Sequence, residues 1–377
     1  MKIAMIGQKD VPSRLGGVEV AVEALAVRMA ADGHQVTLYN CHRCRLGKRE
    51  KGPRRRMYRG VQIREVAVPD IKGVAAAAAS VLGSVRALLG KYDCIHYHAE
   101  GPALMSFLPH LFGIRTVVTI HGLDWQRSKW GRFASWYLKL GEKTAVRCAD
   151  EIIVLSRSMQ RYFREAYQRK TVVIPNGIER PLRREARTIR ERWGLERDGY
   201  VLYLGRIVPE KGLKQLVAAF QGVDTDKKLV IAGGSSDTKE FCRELEEAAK
   251  PDPRILFTGF VQEEALEELY SNSYLYCLPS ELEGLPISLL EAMSYGNCCL
   301  CSDIPECAEV IGDKGYLFQK GDTADLRRRL QMLCRHPELV DECRSGVDEL
   351  LYETYDWDEI TKKTLNVYRM KNRGKHH

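Results

Sequence analysis

The chain of 377 residues lacks any apolar run long enough to cross a bilayer. Its longest, residues 74–90, is rich in alanine and carries Arg86, which predicts a core helix. Residues 1–7 are apolar but stop short of a signal h-region, so the cytoplasm is the expected compartment. No Walker A loop and no G-x-G-x-x-G fingerprint occurs, which removes the P-loop NTPases and the common dinucleotide binders. Cys41 and Cys44 form a C-x-x-C in a basic loop, but no second ligand pair follows at ribbon or finger spacing. No metal site is expected there. Two D-x-D triplets, Asp224-Thr225-Asp226 and Asp356-Trp357-Asp358, fall in a polar turn and at a helix start. Both read as surface or capping positions and not as metal ligands. Most of the twelve cysteines sit in apolar segments, among them Cys277, Cys298, Cys299 and Cys301, the pattern of reduced, buried thiols.

What is present is an ordinary soluble composition, 45% apolar and 29% charged, in a chain long enough for two domains. The formal net charge of +8 is unevenly spread. Residues 1–180 hold 30 Lys+Arg against 15 Asp+Glu, and the remainder holds 28 against 35. Such asymmetry points to an anionic surface opposite the first half: a membrane leaflet, a nucleic acid or a phosphorylated lipid. One source is the stretch from Arg43 to Arg59, with nine Lys/Arg, Pro53 and two glycines, which reads as an exposed loop. The other runs from Trp125 to Arg147. It interleaves Trp125, Trp130, Phe133, Trp136 and Tyr137 with Arg127, Lys129, Arg132 and Lys139. Mixed basic and aromatic residues on one amphipathic helix suit the interface of an anionic membrane. An ordinary helix with a solvated basic face has the same pattern. No RNA-binding motif is present, so no nucleic-acid partner is expected.

Short β-branched runs alternate with helical patterns along the whole chain. Residues 2–6, 35–39, 61–68, 94–98, 115–120, 151–155 and 171–174 read as strands buried on both faces of a parallel sheet. The pattern restarts after Pro175-Asn176-Gly177, with a charged linker near 178–190. Strands then follow at 200–204, 228–232, 255–257, 275–278 and 298–301. Two sets of βα units predict an α/β chain of two doubly wound, Rossmann-like domains facing a central cleft. The first covers residues 1–180 and the second 181–357.

The candidate site residues lie at strand ends. Arg206 and Lys211 share the loop Gly205-Arg206-Ile207-Val208-Pro209-Glu210-Lys211-Gly212 after a strand. Two cations there suit a diphosphate, one as a fork and one as a point charge. Glu283 and Glu291 are separated by seven residues that include a Gly-Leu-Pro turn. Glu283 falls on a loop and Glu291 about one turn into the next helix. Backbone N–H groups between them are placed to hold an anion. Carboxylates repel phosphate, so the glutamates should meet hydroxyl groups, as in a sugar nucleotide. Gly16 and Gly17, between the first strand and first helix, let backbone approach a phosphate. His121 follows a strand directly and is placed to bond a sugar hydroxyl. His96 and His98, two apart on one strand, share a face.

The His121-Gly122 strand end, the G-R-x-x-P-E-K-G loop, the E-x7-E element and the closing Tyr355-Asp356-Trp357-Asp358 occur in this order. Together they resemble glycosyltransferase family 4, retaining enzymes of GT-B fold. The segment from Lys9 to Glu19 resembles a subgroup that includes bacterial polysaccharide rhamnosyltransferases, with Leu15 where an aromatic is common. The resemblance implies a metal-independent hexosyltransferase with no cofactor, whose co-substrate is a nucleotide-diphosphate sugar. It implies that Arg206 and Lys211 bind the donor diphosphate and stabilise the leaving group. Glu291 would bind the ribose and Glu283 the transferred sugar, with backbone N–H groups of the turn Gly284-Leu285-Pro286-Ile287 around sugar and phosphate. Gly17, beside Gly16, would approach the distal phosphate and His121 the sugar. Gly259, Phe260 and Val261 would lie beside the base. A last helix, 358–373, would pack back on the first domain. The expected donor is dTDP-rhamnose or a UDP-sugar. The expected acceptor is lipid-linked or a polysaccharide, met at the cytoplasmic face of the membrane. A nucleotide-sugar epimerase on the same scaffold, or a non-catalytic binder of anionic membrane or nucleic acid, are the alternatives.

Overall fold

The computed structural model describes residues 1–13, 16–44, 55–71, 74–126, 131–234 and 238–370. Two compact units divide the chain: Met1–Gly177 with Trp357–His377, and Ile178–Asp356. The divisions fall after Gly177 and Asp356, where the sequence pattern placed them after 180 and 357.

The first unit holds β1 (Lys2–Ile6), β2 (Gln35–Cys44), β3 (Arg55–Tyr58), β4 (Val61–Pro69), β5 (Cys94–His98), β6 (Arg115–Ile120), β7 (Glu151–Val154) and β8 (Val172–Val173). They form one sheet in the order β3-β4-β2-β1-β5-β6-β7-β8. Every pairing is parallel except β3 with β4. Alternation along β1 sends Ile3 and Met5 into one core and Ala4 and Ile6 into the other. The first core lies under the Gly17–Ala31 helix and the C-terminal Trp357–Arg369 helix, and the second under the Ala75–Leu88 helix. Both faces are covered, as a parallel sheet requires.

One expectation is corrected. The stretch from Arg43 to Arg59 is not a loop throughout. β2 runs on to Cys44, in register with Pro69 of β4, and β3 forms an antiparallel hairpin with β4. Its turn residues Arg59 and Gly60 have φ of 45° and 82°, the left-handed pair that matches a two-residue hairpin to strand twist. Cys41 and Cys44 therefore stand on a strand. Residues 45–54 lie outside the described residues.

The Trp357–Arg369 helix closes the first unit. Arg28 Nε pairs with Asp358 Oδ1 at 2.9 Å, and Arg115 Nη2 donates to Val367 O at 2.8 Å. Trp357, Ile360, Leu365 and Tyr368 are buried.

The second unit holds β9 (Tyr200–Leu204), β10 (Lys228–Ala232), β11 (Ile255–Gly259), β12 (Leu275–Leu278), β13 (Cys299–Ser302) and β14 (Tyr316–Phe318). All are parallel, in the order β11-β10-β9-β12-β13-β14. Counted within the unit this is 3-2-1-4-5-6, the doubly wound order. Chain direction across the sheet reverses between β9 and β12, and ligands of such sheets bind at the carboxyl ends of those two strands. The first unit has the corresponding point between β1 and β5. No helix among the described residues is long and apolar enough to cross a membrane.

Candidate active site

The loops after β9 and β12 meet at the second unit's switch point. Lys211 Nζ lies 2.5 Å from Glu283 Oε1, with side chains only 13% and 10% exposed. Three contacts fix the two loops against each other. Glu281 N donates to Glu210 O at 2.9 Å, and Gln215 Nε2 donates to Glu281 Oε1 at 3.0 Å. Gly212 has φ +66°, and a Cβ there would come 2.0 Å from Pro279 O. Only glycine allows both the turn and this approach.

Arg206 stands at the start of the same loop. Its carbonyl accepts from Tyr203 OH at 2.8 Å, which leaves the side chain half-buried at the strand end. Its guanidinium makes no hydrogen bond or ion pair among the described residues. One cation is thus neutralised by a carboxylate, and the other is free to meet an anion.

The Ile287–Ser294 helix follows Pro286, and no side chain caps it. Leu289 and Leu290 donate to Pro286 O, while the N–H groups of Gly284, Leu285, Ile287 and Ser288 have no acceptor among the described residues. Unbonded N–H groups at a helix start attract negative charge. Two buried tyrosines hold this end in place. Tyr276 OH bridges Leu204 O (3.2 Å) and Ser288 Oγ (2.8 Å), tying β9 to the helix. Tyr270 OH donates to Glu291 Oε2 at 3.0 Å and stacks on Tyr295 with centroids 5.2 Å apart. Burial raises the Tyr270 hydroxyl well above its ordinary pKa, and the nearby Glu291 adds to the shift. It stays a donor, so Glu291 is oriented by a neutral phenol. Sequence spacing found the glutamates but not the tyrosines, whose partners are distant in the chain.

At the end of β11, Gly259 has φ +70° and open space around its Cα. Phe260 is 52% exposed and Val261 is buried. Gly233, after β10, has φ +153°, and a Cβ there would meet Gly205 O at 1.8 Å. The carboxyl ends of β11, β10, β9 and β12 therefore form one continuous shelf.

In the first unit the histidines gather at the ends of β5 and β6. His98 Nδ1 and His121 Nε2 are 3.1 Å apart. His96 bonds Tyr368 OH at 2.6 Å and Thr119 Oγ1 at 2.7 Å, and its ring lies 4.0 Å from that of His98. Burial lowers His96 to about 3 and His121 to about 4, and holds His98 well below the ordinary value. All three are neutral near pH 7. His96 and His98 are fully buried, which leaves only His121 within reach of a ligand.

Gly16 caps the Gly17–Ala31 helix with an extended backbone, φ −154°. A Cβ at residue 16 would come 2.3 Å from Glu19 Oε2, and Glu19 Oε1 accepts from Lys9 N at 3.1 Å. The glycine thus also makes room for a carboxylate in the first helical turn.

The stretch from Trp125 to Arg147 splits into inward and outward parts, unlike the uniform mixture read from sequence. On the Arg132–Cys148 helix, Lys139 pairs with the buried Glu142 at 2.8 Å and lies 4.1 Å from the Trp125 ring. Trp125 Nε1 donates to Glu142 Oε2 at 3.1 Å, and Tyr162 and Tyr167 donate to Glu142 Oε1. Glu100, also fully buried, accepts from Trp125 N at 3.3 Å through Oε2, and its Oε1 has no hydrogen-bond partner. Burial first, then Asp124 and Glu142, push Glu100 up to about 10, so it is a protonated acid. Phe133 (77% exposed), Trp136 (58%) and Leu140 point outward with Arg132, Lys143 and Arg147. Arg127, Lys129 and Trp130 lie outside the described residues.

Two family models match the chain. Glycosyltransferase Family 4 matches residues 15–180, and Glycosyl transferases group 1 matches residues 185–368. An uncharacterised glycosyltransferase of Methanocaldococcus jannaschii is 26% identical over 98% of each chain. The sucrose-phosphate synthase of Thermosynechococcus elongatus superposes with a TM-score of 0.82 at 21% identity, covering 98% of each chain. The Anabaena protein HepE, solved with UDP and glucose, gives 0.78 at 17% identity, covering 97% of this chain and 99% of that one. These solved structures share the two Rossmann-like domains of the GT-B fold. With the Glycosyltransferase Family 4 model on its first half, the Glycosyl transferases group 1 model on its second and a glycosyltransferase similar along its whole length, the chain carries both domains of a glycosyltransferase and is a sugar-transferring enzyme.

Proposed function

We propose that the second unit binds a nucleotide-diphosphate sugar, with dTDP-rhamnose or a UDP-sugar favoured. The enzyme then moves the sugar, with retained configuration, to a lipid-linked or polysaccharide acceptor in cell-surface glycan synthesis. The observation that carries this reading is the shelf at β9 and β12. There an unpaired Arg206, the Lys211–Glu283 pair and unbonded N–H groups of the Ile287–Ser294 helix lie beside Glu291.

Arg206 and Lys211 hold the diphosphate, and Glu291 accepts from the ribose hydroxyls. Glu283 faces the sugar, with Gly284 to Ile287 around it. Phe260, exposed between Gly259 and Val261, supplies an apolar face for the base. During transfer the bond from the anomeric carbon to the diphosphate oxygen breaks and the acceptor oxygen bonds to that carbon. The acceptor proton passes to the leaving nucleoside diphosphate. The growing negative charge on the diphosphate is met by the two cations and the helix start, preorganised before the reaction. The proposal calls for no resident cofactor or metal. Gly16, Gly17 and His121 are assigned to phosphate and sugar contacts on the strength of the resemblance.

The acceptor reading is supported by the outward face of the Arg132–Cys148 helix. Phe133, Trp136 and Leu140 with Arg132, Lys143 and Arg147 suit peripheral binding to an anionic inner leaflet. A thermal-shift screen against UDP-, GDP- and dTDP-sugars tests the donor. Ligand at about a hundredfold excess over Kd adds roughly 2.7 kcal/mol. One nucleotide should raise the melting temperature by several degrees, and no shift with any of them would contradict the reading.

A further inference from the structure

His98 lies at the end of β5, fully buried, with its backbone against Gly7. A Cβ at residue 7, where φ is +129°, would come 2.1 Å from His98 O, so the strand end is closely seated. Its two ring nitrogens have unequal surroundings. Nδ1 is 3.1 Å from His121 Nε2. Nε2 is buried with no hydrogen-bond partner. The neutral ring carries one proton. On Nε2 that proton would be a buried donor without an acceptor, the rarer and costlier arrangement. On Nδ1 it meets the lone pair of His121 Nε2. His121 must then carry its own proton on Nδ1.

We infer that His98 is a positioning residue that fixes His121 as the Nδ1–H tautomer. The ring nitrogen of His121 left for a ligand then offers a hydrogen rather than a lone pair. The bond at one nitrogen of an imidazole decides the state of the other. A donor at that point suits an acceptor oxygen, on a sugar hydroxyl or a phosphate, and does not suit abstraction of a proton. The use of the tautomer rests on the placement of His121 against the sugar; the tautomer itself does not.

The test is nitrogen-15 NMR of the full chain labelled at histidine, without donor, near neutral pH. Two-bond nitrogen–proton correlations report which ring nitrogen is protonated, and His121→Asn assigns the signal. His121 should appear as Nδ1–H in the native protein. In His98→Phe it should shift toward Nε2–H. In His98→Asn, whose amide nitrogen falls near the Nδ1 position, it should remain Nδ1–H. An Nε2–H signal in the native protein overturns the inference, with no variant needed. So does an identical pattern in all three proteins. A parallel measurement follows hydrolysis of UDP-glucose and dTDP-rhamnose. His98→Phe should lower kcat about tenfold with little change in KM, about the worth of one hydrogen bond. A tautomer that shifts as stated with unchanged kcat supports the inference and removes His121 from the donor reading.

Discussion

Replacing Lys211 by methionine should unsettle the second unit more than any other change at the site. Glu283 would keep a carboxylate with a tenth of its side chain exposed and its partner gone. Removing one member of a buried pair costs about 3–5 kcal/mol, because the remaining charge stays buried. The small residual exposure places this pair at the lower end, about 3 kcal/mol. For a unit of this size each kcal/mol moves the melting temperature by roughly 2–4 °C, so a fall of roughly 6–12 °C is expected. Glu283→Gln keeps a hydrogen-bond acceptor for Lys211 and should cost about half as much. The double variant Lys211→Met with Glu283→Gln buries no charge, so its cost should fall short of the sum of the singles by more than about 1 kcal/mol. Guanidinium unfolding of the full chain, fitted for two transitions, measures all four proteins. Additive effects within about 0.5 kcal/mol would refute the reasoning, since they would mean that the pair exchanges no energy.

Glu100 makes stability depend on pH. Its pKa of about 10 in the fold exceeds the ordinary 4.5, so between these values the unfolded chain loses a proton that the folded chain keeps. That contribution is fully present below about 4.5 and declines as pH rises toward about 10. Glu100→Gln removes the titrating group and should raise the first unit's melting temperature at pH 8 more than at pH 5, as thermal unfolding at both values will show. Gly212→Ala places a Cβ against Pro279 O at a left-handed residue. It should cost at least about 2 kcal/mol and weaken nucleotide binding, measured by denaturation and calorimetry. Phe133→Glu with Trp136→Glu should reduce co-sedimentation with phosphatidylglycerol vesicles, leave binding to neutral vesicles low and leave melting unchanged.

Much of this fold was legible because its signals are local. Runs such as Lys2–Ile6 and Tyr200–Leu204 are apolar and short, and the glycine and proline turns after them mark strand ends. Features built by distant partners were not legible. β2 runs past Tyr39 through polar residues because β4 continues beside it as far as Pro69. β3 is basic and mostly exposed, and β14 has three residues, too few for a period to register. Lys139 counted as part of a basic face, yet it turns inward because Glu142 and Trp125 wait there. At the site the same division holds. Spacing singled out Lys211, Glu283 and Glu291 as candidates, but the Lys211–Glu283 pair and the hold of Tyr270 and Tyr276 on the helix start exist only after the sheet has formed.

Calorimetric titration of UDP, GDP and dTDP into the native protein, Arg206→Ala and Lys211→Ala tests the donor shelf most directly. One nucleoside diphosphate should bind the native protein. Each variant should bind it at least tenfold more weakly, since a charged hydrogen bond to phosphate contributes about 1.5–3 kcal/mol. Equal affinity in all three proteins would place the diphosphate elsewhere and contradict the account.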